Sequence, residues 1–246
     1  MYFEVVGTNI RILGSMHAFP VGAVGIPQFV KSAYEWSDAL ILEHDGLKLL
    51  PHFKMGESDT APHVFDPDTI MAIRSFWPDH ELFNPLDRIH PWALFILISG
   101  FSLEFVPGVE AYVSEMAVRD NKSITYLETT QETIASLQCA PLEEIKPAVE
   151  FIIKDRTWQK NNLQEMYEAW ASRNSLALYN AAAKSPSFSY PGMKSAYFTN
   201  RNWNWAKKID DLVEVKDKTL IVVGALHLYG KESLLEFIAH ETKLVS

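Results

Sequence analysis

The chain has 246 residues, 48% of them hydrophobic and 22% charged, which is the balance of a globular protein long enough to bury a sizeable core and excludes a disordered chain. A net charge of -9 speaks against a nucleic-acid surface, because phosphate binding needs clustered Lys and Arg. The single cysteine, Cys139, excludes an internal disulfide and the Cys-rich zinc modules, and it fits a reducing compartment.

Residues 3–6 and 10–13 flank Gly7-Thr8-Asn9, which predicts a β-hairpin, and the second strand exits into Gly14-Ser15-Met16-His17. Pro27 then opens a helix carrying Phe29, Val30, Ala33 and Tyr34 at three-to-four spacing. Residues 39–42 follow as a strand without polar alternation, as expected where both faces are covered, and this run ends on Glu43. Residues 44–88 hold Pro51, Pro62, Pro67, Pro78 and Pro85 and predict an irregular excursion over the site, made mobile by Met55 and Gly56, with one helix at 68–76. The apolar run at 91–101 is about half the ~20 residues of a membrane span, so it reads as a buried helix begun by Pro91.

Gly108 precedes a helix running to about Arg119, and a strand at 123–127 ends on Glu128. Thr129 or Thr130 can cap the helix after it. Residues 141–183 predict a helical section, an antiparallel pair split near Lys160-Asn161-Asn162, with Pro147 as a kink. Ser185 to Gly192 read as a loop. A helix at 196–213, a strand at 219–223 exiting into Gly224-Ala225-Leu226-His227, and a closing helix after Gly230 complete the chain. We expect one α/β domain over 1–246: a mixed central sheet with flanking helices, a helical insertion and an active site at the strand ends. The first residues have neither a basic segment nor a long apolar one, so no secretory signal is expected. That implies a cytoplasmic protein as written, or a secreted or periplasmic one if a leader was removed.

Four apolar runs thus end at once on a residue that can do chemistry: His17, Glu43, Glu128 and His227. In open α/β sheets the ligand sits beyond the carboxyl ends of the strands, so these four are expected to share one cleft. Eleven glycines and eight histidines give roughly 0.36 Gly-x-x-His matches by chance, and this chain has two. His17, Glu43 and His227 form a two-histidine, one-carboxylate set of the kind that holds zinc, manganese or iron with an open position. Without a metal, the same residues make a general base and an oxyanion stabiliser. Each also has an ordinary structural alternative, a strand tip bonded locally for the histidines and a salt bridge or cap for the glutamates. Arg201 and Asn202 are candidates for binding a substrate carbonyl or carboxylate, and Asp45 is a spare ligand. A strand-end position implies that Glu43→Gln is a functional lesion and not a folding one.

Leu13-Gly14-Ser15-Met16-His17, Leu42-Glu43, Pro91-Trp92-Ala93, Gly108-Val109-Glu110, Leu127-Glu128-Thr129-Thr130-Gln131, Arg201-Asn202-Trp203-Asn204-Trp205-Ala206 and Val223-Gly224-Ala225-Leu226-His227-Leu228-Tyr229-Gly230 together resemble the TraB/GumN (PrgY-like) family, in order and spacing, over nearly the whole chain. That family is related to the Tiki metalloproteases, the erythromycin esterases and the ChaN-type haem-binding proteins. The resemblance implies an α/β fold whose central site is His17, Glu43 and His227 with Arg201 nearby. It implies a metal-dependent peptidase acting on short or unstructured peptides with manganese, cobalt or zinc, in which Glu128 takes the proton from water. Its alternatives are a peptide-sequestering protein without turnover, a metal-free esterase-like hydrolase, and a haem binder. Glu110 stands where relatives commonly have an aspartate. No nucleic-acid partner and no membrane span are expected.

Overall fold

The computed structural model describes residues 1–54, 65–76, 89–101 and 104–245. Of the excursion expected at 44–88, residues 55–64 and 77–88 lie outside these, including Met55, Gly56, Pro62, Pro78 and Pro85, so the expected lid is not described.

The hairpin forms between β1 (Tyr2–Val5) and β2 (Ile10–Ser15), with Gly7 at φ 82 in its turn, a conformation glycine adopts without strain. A short strand β3 (Ala18–Pro20) follows, then helix α1 (Gln28–Trp36) and strand β4 (Ala39–Leu42). The described parts of the excursion are more regular than its prolines imply: they form α2 (Gly46–Leu49), a 3-10 turn at Leu50–Phe53 and α3 (Pro67–Phe76). Next come α4 (Pro91–Phe101), β5 (Phe105–Pro107), α5 (Val109–Asp120) and β6 (Ser123–Tyr126). Helix α6 (Thr130–Leu137) begins at a reciprocal cap: the Thr129 hydroxyl accepts from Glu132 N–H, and Glu132 accepts from Thr129 N–H.

Helices α7 (Leu142–Lys154), α8 (Arg156–Ala171) and α9 (Ser175–Ala182) make the helical section. The break falls at Asp155 and not at Lys160-Asn161-Asn162. Asp155 caps α8 by accepting from Trp158 N–H, whereas Asn162 is buried inside α8 and donates to Ala181 C=O at 2.9 Å, so a residue read as a breaker is a packing contact. The loop expected after Ser185 contains two single helical turns, α10 (Pro186–Ser189) and α11 (Pro191–Lys194), each opened by a proline in a first turn that needs no N–H there. The chain runs on through a π-helical turn, Ser195–Thr199, into α12 (Asn200–Asp210), then β7 (Thr219–Gly224), a 3-10 turn Ala225–Leu228, α13 (Leu234–Phe237) and β8 (Thr242–Leu244).

Six strands form a mixed sheet in the order β6-β4-β7-β2-β1-β8, and β3 pairs with β5 apart from it. β6, β4, β7 and β2 run parallel, while β1 is antiparallel to both β2 and β8. Alternate residues point to opposite faces of the sheet. Leu13, Leu40, Leu42, Leu220 and Val222 pack against α1, α5 and α8, and Ile12, Ile41, Ile221 and Val223 pack against α12 and α13. β7 is buried along its whole length, each of its apolar side chains contributing about 1.5–3 kcal/mol by burial. This is the α/β fold with a mixed central sheet that the sequence implies. A further apolar cluster joins α3, α4, α7, α11 and the π turn. Among the described residues no helix is long and apolar enough to cross a membrane.

Candidate active site

Ser15 at the end of β2 lies opposite Gly224 at the end of β7, and Leu42 at the end of β4 lies opposite Val222. Pairing continues past β4 and β6, where Glu128 N–H donates to Glu43 C=O at 2.8 Å. The parallel register therefore delivers His17, Glu43, Glu128 and His227 to one edge of the sheet, grouped around the end of β7.

Glu43 is buried, and Oε1 accepts from Gly224 N–H at 2.6 Å while Oε2 accepts from Arg201 Nη2 at 2.8 Å. His17 Nε2 and His227 Nε2 each stand 3.8 Å from that same Oε1. Burial alone would push Glu43 up, but Arg201, the two imidazoles and the Gly224 amide together hold it far below the usual carboxylate range. A Cβ on Gly224 would lie 3.2 Å from His17 Nε2, 3.3 Å from Glu43 Oε1 and 3.4 Å from His227 Cδ2. Glycine keeps open the small space these three groups enclose.

Each imidazole is oriented through its other nitrogen. Asn202 donates Nδ2–H to Glu232 C=O at 2.7 Å, which fixes its amide so that Oδ1 faces His227 Nδ1 and accepts from it. The proton of neutral His227 then sits on Nδ1, and Nε2 keeps its lone pair toward Glu43. Burial drives the His227 pKa down to about 3, so it is neutral at ordinary pH. His17 Nδ1 donates to Glu110 Oε1 at 2.9 Å, and the same oxygen accepts from the Ser15 hydroxyl. The Glu110 carboxylate, against the cost of desolvation, raises His17 to about 9. The His17 side chain is 61% exposed at the cleft, so solvent weakens that pairing. Gly108 fixes the loop beneath: its N–H donates to His17 C=O and Val109 N–H donates to Met16 C=O, both at 3.0 Å.

Arg201 is brought in by the π turn preceding α12, a local widening of the helix often found at functional sites. Its Nη2 bridges Glu43 and Glu128 at 2.8 and 2.9 Å, its Nε donates to Glu128 at 3.1 Å, and its guanidinium lies over Trp205 at 4.5 Å. Glu128 also accepts from the Thr133 hydroxyl. The sequence suggests that Arg201 and Asn202 face substrate: Asn202 is instead buried against His227 and Glu232, while Arg201, whose hydrogen bonds go to Glu43, Glu128 and Tyr197 C=O, keeps only a small part of its surface on the cleft. Glu128 is likewise committed to Arg201 and Thr133, leaving it poorly placed to take a proton from water. Asp45 caps α2 through Leu47 N–H and pairs with Lys48 at 3.3 Å.

Composition and periodicity do not single out the orienting roles of Glu110 and Asn202, or Ser15. The signal for Glu110 is its place in the first turn of a helix opened by glycine, two residues after the Gly108 that touches His17.

A family model described as the TraB/PrgY/gumN family matches residues 4–242. The chain belongs to the TraB/PrgY/gumN family. No curated protein matches it, and neither does any solved structure.

For a divalent ion, the chemistry of the donors fits: the Nε2 lone pair of neutral His227, the Nε2 of His17 once an ion displaces its proton, and a carboxylate oxygen lie around the space above Gly224. The 3.8 Å separations are within the ~4.4 Å that two donors about 2.2 Å from one ion can span. As placed, no group of three or more His, Cys, Asp or Glu side chains among the described residues is close enough together to hold a metal ion.

Proposed function

We propose that this member of the TraB/PrgY/gumN family is a hydrolase of short or unstructured peptides, with His17, Glu43 and His227 holding a divalent cation such as manganese, cobalt or zinc. The observation that carries the reading is the approach of both Nε2 atoms to one Glu43 oxygen, each ring being fixed through its Nδ1. A bound ion would acidify a water and polarise a carbonyl. Asn202 sets the His227 tautomer, Glu110 aims His17, and Arg201 keeps Glu43 ionised in spite of its burial. Glu128 holds Arg201 in place.

One observation favours a second reading, hydrolysis without metal. Arg201 already neutralises Glu43, and the Glu110-oriented His17 is open to the cleft, where its neutral form can take a proton from water. The experiment that separates them strips the protein with chelator, removes the chelator, and assays a mixed peptide library with manganese, cobalt, zinc or no ion. Metal dependence supports the first reading. Equal cleavage in all four samples, with elemental analysis showing the last to be metal-free, overturns it in favour of the second. Peptide binding without cleavage in any sample marks a sequestering protein.

A further inference from the structure

Beside the polar edge of the sheet lies a cavity of about 380 Å³, within the ~300–1,000 Å³ typical of small-molecule sites. His17, Arg201 and His227 form one end of it, and Ser15, Ser187 and Tyr197, whose buried hydroxyl has no hydrogen-bond partner among the described residues, are its other polar side chains. The rest is apolar and comes from separate helices: Phe95 and Ile96 of α4, Leu163 and Met166 of α8, Leu178 of α9, and Phe198 of the π turn. Leu163 and Met166 are half-buried. Methionine is the apolar side chain best able to fit its shape to an occupant.

Charge limits what can enter. The two cationic side chains in the lining are both paired with carboxylates, His17 with Glu110 and Arg201 with Glu43 and Glu128. In the metal-free protein three carboxylates against two cations leave this end negative even when His17 carries its proton, and a divalent ion bound in place of that proton would only balance the charge. A substrate carboxylate would meet repulsion and a dry wall, whereas an uncharged apolar group would displace water from surface that cannot hydrogen-bond to it.

We infer that this cavity takes a bulky uncharged side chain of a peptide, aromatic or branched aliphatic, next to the carbonyl presented to His17 and His227. The identity of the occupant as a peptide rests on the hydrolase reading; the apolar selectivity rests on the cavity. The test is NMR of protein labelled with ¹³C-methyl methionine, since Met16 and Met166 line the cavity while Met193 is buried in another cluster and reports on the fold. N-Acetylphenylalanine amide is expected to shift the Met16 and Met166 signals at a concentration at least about tenfold lower than N-acetylalanine amide. N-Acetylaspartic acid amide is expected to do nothing. Leu163→Trp, which fills the cavity, should abolish the shifts and leave Met193 in place, and Leu163→Ala should retain them. Equal affinity for the phenylalanine and alanine amides overturns the inference on the unmodified protein, whatever the folding of the variants. Tighter binding of octanamide than of the phenylalanine amide overturns it in favour of an acyl chain. Selective binding without cleavage in any metal assay removes the enzyme reading and leaves the apolar selectivity standing.

Discussion

Glu43 accepts on both oxygens inside the protein, from Gly224 and from Arg201, and this double engagement revises what its strand-end position implied. Substitution should lower stability as well as function. In Glu43→Gln the amide oxygen can still accept from Gly224, but the amide N–H₂ would face Arg201, donor against donor. Arg201 retains Glu128, so the loss should stay below the ~3–5 kcal/mol of a buried charge stripped of every partner. We expect a folded protein, destabilised by about 1–3 kcal/mol, with activity lost per folded molecule. For a chain of this size that is about 2–4 °C of Tm per kcal/mol. Arg201→Met should be worse, because it leaves Glu43 and Glu128 buried together without the guanidinium that bridges them. Thermal melts and peptide cleavage on both variants provide the check; an unchanged Tm in Arg201→Met would mean the buried cluster is not held by charge.

The elements that carry the site are legible in the sequence where parallel strands make them so. Ile10–Ser15, Ala39–Leu42 and Thr219–Gly224 are short apolar runs covered on both faces, and their exits must share an edge. The strands β3, β5 and β8 are not legible, because three residues each give no period to detect. The roles of Glu110 and Asn202 are equally hidden, since a tautomer is set by a partner that only tertiary structure brings near. Gly108 shows how closely one element presses on another. A Cβ there would lie 1.9 Å from Met16 O and 2.6 Å from His17 C, so α5 could not begin where it does and the His17 loop would have to move. Gly108→Ala should cost on the order of 100-fold in kcat/KM, the scale of a 1 Å misplacement of a reacting group. At Gly100, inside α4, an added Cβ would meet nothing within 4 Å, so Gly100→Ala should instead gain about 0.5–1 kcal/mol. Melts and kinetics on the pair check this, and wild-type kcat/KM in Gly108→Ala would separate the His17 loop from catalysis.

Across the whole molecule, the edge of the sheet opposite the site is braced by a different polar cluster. Asp38 N–H donates to Lys218 C=O where β4 and β7 begin, and just beyond, α1 is tied to the end of α5. The Tyr34 hydroxyl donates to Asp120 at 2.9 Å, and Lys122 lies 3.9 Å from the Tyr34 ring while donating to Tyr34 C=O and Ser37 C=O. Burial first, and then the bond to Asp120, push the Tyr34 hydroxyl up to about 12 from its ordinary 10. The folded protein thus holds a proton that the unfolded chain has released, so this contribution is full below pH 10 and is lost as pH rises from 10 to about 12. Lys122 works the other way: burial lowers it, the unfolded chain binds more protons, and its contribution rises with pH up to the ordinary value of 10.5. Above that point the tyrosine limb is no longer opposed by Lys122. Tyr34→Phe removes the hydrogen bond and should cost about 0.5–1.5 kcal/mol at pH 8, but it also removes the alkaline loss. A rise from 10 to about 12 is worth more than that one hydrogen bond, so denaturant unfolding of the two proteins should give stability curves that stand apart at pH 8, draw together above pH 10 and cross before pH 12. Parallel curves over that range would mean that the Tyr34 hydroxyl ionises as readily in the folded protein as in the unfolded one, and that the brace owes its strength to packing and Lys122 alone.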